Sequence, residues 1–494
     1  MSRPARLAAL AGIALAASAH VGSPDTYFEG AAGPYRVRVI VRSAGVVPGL
    51  AQITVRLLGG ARVRTVTVLP VYWDPRTAAA PPPDTARIVS GDSSQYSAAL
   101  WLMTGGSYSV QVTVAGSAGT GTAIVPVQAI ATRRLELQKP LALGLAAFGA
   151  FLFIGALTII GAAVREAVLP PGAEPDRRRV WRGRVAAGAG GVMLAGAVLG
   201  GRTWWNAVDH DFTRQIYQPL ASRAAVRSEA GRAVLRFSIV DSAWREHRVT
   251  PLIPDHGHLV HVFVVREGLG AFAHLHPVFV DSSDFDAALP PLPAGRYRVY
   301  ADITRESGFA ETLTDTITLG APGPPWRPSD PDDAWVGTRG SGPGARDSSR
   351  LSDGSTMAWE RGAATLVAGQ EAPLTFTVTA PDGRPVPLEP YMGMPAHLML
   401  SRDDGAVFVH LHPLGTISWA AQQAFLVRGP ADTAWGVVGR RLTEAEATMK
   451  TMSIPATATI SFPYAYPKPG RYRLWVQMKR QGRILTGVFD AEVQ

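Results

Sequence analysis

The sequence predicts a mainly β protein: three Ig-like or cupredoxin-like antiparallel β-sandwich modules, with a two-helix transmembrane hairpin between the first and the second. Short β-branched runs are separated by turn residues, and the 494 residues include 51 Gly and 39 Pro. A Gly-x-Tyr motif opens an expected strand in each module, at Gly106, Gly295 and Gly470. Two apolar blocks interrupt the β pattern. A chain of this length is too long for a single core.

The N-terminus predicts a secretory signal peptide at residues 1–19. Arg3 and Arg6 are its basic part, residues 7–17 its short apolar part, and residues 17–19 a small-residue cleavage site. Cleavage there would make His20 the first residue. Residues 20–138 follow as an extracytoplasmic β-sandwich, with strands expected at 35–41, 51–57, 63–71, 97–103 and 108–114.

The two apolar blocks predict a membrane anchor. Residues 141–164 carry no charge and would extend about 36 Å as a helix, enough to span a bilayer. Residues 185–203 form a weaker second span, whose Gly196 and Gly200 would allow close packing on the first. The loop at 165–184 is rich in Arg, and such loops stay cytoplasmic. Both soluble regions are therefore expected on the periplasmic side of the inner membrane, with the lipid bilayer as a partner.

Two further β-sandwich modules are expected at residues 226–319 and 359–494. Residues 320–358 are rich in Pro, Gly, Ser and Asp and have no apolar period, so they predict a linker. The net charge of +9 comes from scattered Arg apart from the membrane loop, and it does not predict a nucleic-acid partner.

A histidine and methionine pattern occurs once in each of these modules. Residues 255–277 read DHGHLVHVFVVREGLGAFAHLHP, and residues 391–413 read YMGMPAHLMLSRDDGAVFVHLHP. Eight of the eleven histidines lie in these two stretches. The alignment matches three histidines of the first stretch with three of the second, and it sets a His pair opposite a Met pair: His261 with His397, His274 with His410, His276 with His412, His256 with Met392, and His258 with Met394.

Each stretch is expected to fold as a hairpin whose histidines share one face. The predicted register sets His261 opposite His276, and His397 opposite His412, with the third histidine of each set two residues away. Opposed Cα atoms are about 5 Å apart, close enough for imidazoles to bind one ion. The candidate metal ligands are Met392, Met394, His397, His410, His412, His256, His258, His261, His274 and His276. The alternative is that these are polar residues on a half-exposed sheet.

The ligand types suggest the ion. The absence of Cys excludes thiolate sites, which leaves imidazole, thioether and carboxylate. A His/Met set favours Cu(I), so the last module is expected to bind Cu(I) and the all-His middle module Cu(II) or Zn. Met399 lies on the histidine face as a ligand or as packing, and packing is the favoured interpretation. His20 would be a further ligand only if others joined it.

The last module resembles secreted bacterial heavy-metal-associated domains. The residues that carry the resemblance are LEPYMGMPAHLMLSRDDGAVFVHLHP and the later PKPGRYRLWVQMKRQGRILTGVF. The likeness extends more distantly to YtkA-like and FixH-like extracytoplasmic domains, and the first module is weakly CopC-like. The resemblance implies β-sandwiches that handle copper, with Met392, Met394, His397, His410 and His412 as the binding residues.

These features together predict a membrane-anchored copper-binding protein for metal storage, delivery or resistance, and not an enzyme. Its expected partners are the metal ion and another extracytoplasmic metal-handling membrane protein. The alternatives are a non-metal structural or interaction protein and a copper-dependent oxidase. The sequence contains no nucleophile–His–acid set and no Gly-rich phosphate loop.

Overall fold

The first β-sandwich has two antiparallel sheets. In a computed structural model of the chain, the described residues are 20–23, 25–77, 80–170, 172–229, 231–320, 326–337, 347–362, 365–429, 431–449 and 457–494, and the predicted signal peptide lies outside them. Strand β1 (His20–Val21) precedes the sandwich and lies in neither sheet. The strands of the sandwich are β2 (Asp25–Ala32), β3 (Tyr35–Arg42), β4 (Gly49–Leu57), β5 (Val63–Tyr72), β6 (Asp84–Thr85), β7 (Arg87–Val89), β8 (Asp92–Leu102), β9 (Gly106–Gly116) and β10 (Gly119–Ala129). The sheets have the orders β2-β3-β4-β8-β7 and β10-β9-β5-β6, and all five predicted strands overlap observed ones.

Residues 130–218 form a separate unit of two helices, α1 (Lys139–Glu166) and α2 (Arg177–Arg214). Both are long and apolar enough to cross a membrane. The first predicted block lies inside α1. Helix α2 extends beyond the predicted block 185–203 at both ends, so residues 177–184 of the predicted loop are helical. The Asp176 side chain accepts a hydrogen bond from the Arg179 N–H, which starts α2 earlier than the apolar pattern does.

The two helices approach each other at glycines that the sequence did not single out. A Cβ added at Gly183 would lie 2.8 Å from the Gly161 carbonyl oxygen, so only glycine permits this approach. Gly196 and Gly200, the predicted contact residues, have nothing within 4 Å of such a Cβ. That prediction was wrong because the helices pack near the end of α1 and the start of α2.

The middle module is a second sandwich, with sheet orders β11-β12-β16-β15 and β18-β17-β13-β14-β19. Its elements are β11 (Ser222–Glu229), β12 (Arg232–Ile239), α3 (Ser242–Arg245), β13 (Val260–Arg266), β14 (Ala271–Leu275), β15 (Val278–Phe279), β16 (Asp284–Ala288), β17 (Gly295–Thr304), β18 (Ala310–Leu319) and β19 (Ala334–Gly337). Its core lies between the two sheets and includes Leu235, Phe237, Val262 and Val264.

The last module repeats this plan, with sheet orders β20-β21-β22-β25 and β1-β24-β23-β26-β27. Its elements are β20 (Ser348–Arg350), β21 (Thr356–Trp359), β22 (Leu374–Thr379), β23 (His397–Arg402), β24 (Val407–Leu411), α4 (Trp419–Val427), α5 (Val437–Met449), β25 (Thr459–Phe462), β26 (Gly470–Arg480) and β27 (Arg483–Val493). Strand β1 pairs in parallel with β24, so the start of the described chain belongs to this sheet.

The predicted linker at 320–358 is partly sheet. It supplies β19, β20 and most of β21, and Ala334 of β19 pairs with His274 of β14. Strands of three or four residues between Pro, Gly and Asp turns are too short to show an alternating pattern, which is why the sequence predicted a linker there.

The Gly-x-Tyr motifs form the same corner in all three modules. The Tyr297 hydroxyl donates to the Pro293 carbonyl at 2.6 Å, and the Tyr472 hydroxyl donates to the Lys468 carbonyl at 2.7 Å. In the first module the Tyr108 hydroxyl accepts from the Thr104 N–H at 3.0 Å. Each bond ties the tyrosine to the backbone four residues upstream, as in a sandwich tyrosine corner.

The middle and last modules pack against each other through their histidine hairpins, β13–β14 and β23–β24. Tyr300 stacks on Phe408 with ring centres 4.0 Å apart, and Phe272 stacks on Trp475 at 4.7 Å. Phe272 and Phe408 are equivalent in the repeat, as are Tyr300 and Trp475, so each contact is the reciprocal of the other. The repeats therefore form a pseudo-two-fold pair within one chain.

This packing corrects the expectation of a half-exposed histidine face. Apolar residues of both modules form one buried cluster next to the histidines: Phe263, Val265, Leu269, Phe272, Tyr300, Met399, Phe408 and Trp475. His274 and His397 are fully buried. Met399 lies inside the cluster, in agreement with the favoured packing interpretation. The histidine face is an interior surface because the second repeat covers it.

Candidate metal centre

The hairpin registers bring the histidines of each repeat to one face. Phe263 pairs with His274 in the middle module, and Met399 pairs with His410 in the last. Both pairings are those that the sequence predicts. Since residues two apart on a strand share a face, His261 and His397 lie on the same faces as these partners.

The upstream residues lie in two matching tight turns. The Asp255 and His258 backbones bond each other reciprocally, at 2.8 and 3.0 Å, and Tyr391 and Met394 do the same at 2.7 and 3.1 Å. The second residue of each turn has a positive φ, 54° at His256 and 51° at Met392. Non-glycine residues seldom adopt this conformation. Its occurrence at both positions indicates that the backbone fixes the direction of the two side chains.

The eight histidines converge on one centre that spans both modules. His261, His274 and His276 form one group whose ligand atoms all lie within 4.8 Å of one another. His256, His397 and His412 form a second such group, and His258, His276 and Asp330 a third. The ring centres of His261 in the first group and His256 in the second are 6.3 Å apart, so the groups are neighbours, and the ring centre of His410 lies 5.8 Å from that of His261. The second group contains residues from both modules.

In the middle module, hydrogen bonds fix which nitrogens carry protons. The His261 Nε2–H donates to the Asp255 carbonyl at 2.9 Å, and the His274 Nδ1–H donates to Gln477 Oε1 at 2.9 Å. A neutral imidazole has one N–H, so the other nitrogen of each ring is a bare acceptor. These two acceptors, His261 Nδ1 and His274 Nε2, face each other at 3.2 Å.

The last module repeats this arrangement. The His397 Nε2–H donates to the Tyr391 carbonyl at 3.2 Å, and when Asp302 is ionised the His410 Nδ1–H donates to its Oδ2 at 3.2 Å. His397 Nδ1 and His410 Nε2 then face each other at 3.1 Å. The acceptor that holds His410 belongs to the middle module, and Gln477, which holds His274, belongs to the last.

Two facing acceptors repel unless a proton or a cation lies between them. Ligand nitrogens around a tetrahedral ion at about 2 Å are about 3.3 Å apart, which is close to the two observed separations. A shared proton would require a buried imidazolium, and desolvation disfavours that charge. The arrangement therefore suits a metal ion better than a proton.

Three more imidazole nitrogens are buried and have no hydrogen-bond partner among the described residues: His256 Nε2, His276 Nε2 and His412 Nε2. The other nitrogen of His276 donates to Asp333 Oδ1 at 3.2 Å, and that of His412 donates to the Ile417 carbonyl at 3.0 Å. A histidine held through one nitrogen by a carboxylate or carbonyl, with the other left open, is the usual arrangement of a metal ligand.

Burial keeps these imidazoles neutral. Desolvation lowers the pKa of His256 to about 3, although the nearby Asp255 raises it. It lowers the pKa of six others below the ordinary value: His261, His274, His276, His397, His410 and His412. Burial also raises the pKa of Asp302 and that of Asp333 to about 7. Neutral imidazole is the form that binds a metal ion.

The predicted residues are thus placed as follows. The six hairpin histidines lie in the centre. His256 groups with His397 and His412 of the opposite module, and His258 stays beside His276, with ring centres 4.1 Å apart. Met392 and Met394 are buried in their turn. His20 is the first residue of β1, and its backbone pairs with that of Val407.

Sequence reasoning missed the residues that orient the imidazoles. Asp302 and Gln477 pair with His261 and His397 on the neighbouring strands. Each stands seven residues after the Gly of its Gly-x-Tyr motif. Aligning the motifs would therefore have identified this pair. Asp333 carried no such signal because it lies in the predicted linker.

A family model described as a domain of unknown function (DUF8832) matches residues 224–320 and 349–494. The matched segments contain both histidine hairpins and both turns. No curated protein matches the chain.

Several solved structures are similar to this chain at low scores. A tetra-tandem repeat from the extending region of a large adhesion protein is 9% identical, covers 91% of this chain and 71% of that one, and has a TM-score of 0.15. Alpha-2-macroglobulin of E. coli is 7% identical, with coverage of 95% and 23% and a TM-score of 0.18. The BSP domain of a biofilm associated protein is 8% identical, with coverage of 97% and 68% and a TM-score of 0.15. These scores are too low to carry a functional argument.

Proposed function

We propose that this chain is a membrane-anchored, extracytoplasmic protein that binds copper for storage, delivery or resistance. The carrying observation is the set of buried imidazole nitrogens that face one another or have no hydrogen-bond partner among the described residues. A buried acceptor without a donor costs roughly 1–3 kcal/mol. A protein interior with several of them is stabilised when a cation occupies the space between them.

The choice of copper rests on the donors available. The centre offers imidazoles, with two buried thioethers in the adjoining turn, and the sequence contains no thiolate. Copper binds both imidazole and thioether, whereas zinc gains little from thioether. The resemblance to heavy-metal-associated domains points in the same direction. We propose a binding role and not catalysis.

The membrane and compartment assignments belong to the same proposal. Two helices can span a bilayer by length and composition. The predicted signal peptide and the Arg-rich segment between the helices favour an extracytoplasmic location for both soluble regions. A second metal-handling membrane protein would then deliver or receive the ion.

The rival function is that of a structural or interaction protein built from β-sandwich modules on an anchor. One of the similar solved structures is an adhesion protein, although its TM-score carries no argument. Under this alternative the histidines only pack the interface between the modules. The facing acceptor nitrogens argue against it, because apolar residues would fill that space at lower cost.

Metal analysis of the full-length protein separates the two functions. The protein is purified in detergent from cells grown with both copper and zinc, and its bound metals are quantified. We expect stoichiometric copper in the unaltered protein and in a His210→Ala control, whose histidine is exposed on α2. Protein without bound metal, which also fails to take up either ion when titrated, would favour the interaction protein.

A further inference from the structure

We infer that the two tight turns exchange side chains across the pseudo-two-fold interface, so that each histidine triad is completed by Met or His from both modules. The inference rests on the proposed function and assigns the ligands of its sites. The first triad is His261, His274 and His276, and the second is His397, His410 and His412. The turn residues are His256 and His258 in one module, and Met392 and Met394 in the other.

The exchange is directly visible for His256. Its ring centre is 5.1 Å from that of His397 and 5.0 Å from that of His412, but 6.3 Å from that of His261 in its own module. His258, two residues later, stays within its own module, beside His276. One turn therefore sends its second residue to the opposite triad and keeps its fourth residue for its own.

The two turns have the same conformation, so Met392 should follow the path of His256. Each turn closes with the same pair of backbone hydrogen bonds and places a non-glycine residue at a positive φ. In each turn the first carbonyl, of Asp255 or of Tyr391, anchors the first histidine of the adjoining strand.

The turns also dock on matching places in the opposite module. The Asp255 carboxylate accepts from the Ser418 hydroxyl at 2.9 Å, next to the Ile417 carbonyl that holds His412. The Tyr391 hydroxyl donates to the Asp332 carbonyl at 3.0 Å. The neighbouring Asp333 carboxylate accepts from the ring of His276, the third histidine of the first triad. Each turn thus contacts the segment that orients the third histidine of the facing triad.

This exchange equalises the two sites. The first triad receives His258 from its own module and Met392 from the other. The second receives Met394 from its own module and His256 from the other. Each site then has four imidazoles and one thioether available, instead of one all-His and one His/Met site. The expected preference of the last module for Cu(I), and of the middle module for Cu(II) or Zn, should therefore disappear.

The test isolates each site in the full-length protein. Asn can donate to the partner of a histidine Nδ1–H but lacks the open Nε2. His412→Asn therefore weakens the second site and leaves the first intact, and His276→Asn weakens the first and leaves the second intact. Cu(I) affinity is measured against a competing chelator before and after Met392→Leu, which preserves volume. We expect a loss of at least tenfold in the His412→Asn protein and no change in the His276→Asn protein.

Two results would overturn the exchange. One is a loss from Met392→Leu confined to the His276→Asn protein, which would place Met392 in its own module. The other is the absence of a sulfur neighbour from the copper X-ray absorption spectrum of the His412→Asn protein, a measurement that requires no change at Met392. If the unaltered protein binds no Cu(I), the proposed function itself fails. Circular dichroism checks the folding of every variant.

Discussion

At the scale of single residues, the protonation of each imidazole is set by its neighbours. Carbonyl and carboxylate oxygens accept a hydrogen bond from the protonated ring nitrogen of His261, His397 and His276. The unprotonated nitrogen of each ring therefore points toward the centre. Such acceptors fix the ligand's orientation and raise its basicity. The proposed metal centre therefore depends on residues that are not among its proposed ligands.

Replacing Asp333 with Asn should weaken one site only. The Asn oxygen still accepts from the His276 ring, but the loss of charge lowers the basicity of that ligand, and losses of roughly 10–100-fold are typical. Asp332→Asn is the matched control, because that carboxylate lies 3.5 Å from Lys479 instead. Copper affinity is measured in the His412→Asn protein. An equal loss from both replacements would mean that Asp333 does not act through His276.

The stability of the metal-free protein should fall as the pH drops below 6.5. The folded-state pKa of seven buried histidines is depressed, so below 6.5 the unfolded chain binds protons that the folded chain does not. Each of these histidines therefore makes the folded state less stable as the pH falls from 6.5 toward its folded-state pKa. Asp302 and Asp333 oppose this between about 7 and 3.8, because their folded pKa is raised.

The seven histidines outnumber the two carboxyl groups, so the net effect has the sign of the histidines. Urea unfolding at pH 7.5, 6 and 5 measures it, with saturating copper as the comparison. A free energy of unfolding that stays constant or rises as the pH is lowered from 7.5 to 5 would show that the imidazoles are not held neutral in the folded protein.

At this scale the sequence identified the candidate ligands, but it did not identify the residues that orient them. The co-facial placement of His261 and His274 followed from strand periodicity alone. The swap of His256 into the opposite module could not be read from the sequence, because it depends on a contact between two hairpins far apart in the chain.

At the scale of elements, the hairpins β13–β14 and β23–β24 are buried on both faces. Their strands show almost continuous burial instead of alternation. The sequence contains that signal, since residues 260–265 read VHVFVV without an exposed polar position. Such a run is typical of a strand covered on both sides. The prediction of a half-exposed sheet did not use this run. It rested on the polar character of the histidines.

Removing a ring from the interface should weaken metal binding as well as the fold. Phe408 stacks on Tyr300 and contacts Phe263, with ring centres 5.2 Å apart. Phe408→Ala should cost about 3–5 kcal/mol of stability and reduce copper affinity at both sites, because the hairpins are no longer held together. Phe376→Ala, in the separate core of the last module, is the control.

The control variant should lose comparable stability and, while folded, bind copper as the unaltered protein does. Isothermal titration below the unfolding temperature gives the affinities. Equal affinities in the two variants would show that the interface does not set the geometry of the centre.

At the scale of the whole molecule, the middle and last modules behave as a dimer within one chain. The repeat itself was evident from the sequence, as were its β character and the two apolar helices. The pairing of the repeats was not evident, because the predicted strands of each module are enough to form a β-sandwich without the other module. β1, with Val21 opposite Phe408, adds the start of the described chain to the last module's sheet.

The predicted topology places both soluble regions on one side of the membrane. A reporter that is active only in the periplasm should be active when fused after Gln494 and also near residue 135. Activity at residue 135 alone would mean that α2 does not span, and would leave the histidine centre in the cytoplasm.

The central claim is that two metal ions bind in the histidine interior between the modules. Equilibrium dialysis of copper against the full-length protein tests it most directly, with the unaltered chain, His276→Asn, His412→Asn and the double variant compared. We expect two tightly bound copper ions per chain, one in each single variant, and none of that affinity in the double variant while its circular dichroism stays native. A natively folded double variant that still binds two copper ions with the affinity of the unaltered chain would contradict the account.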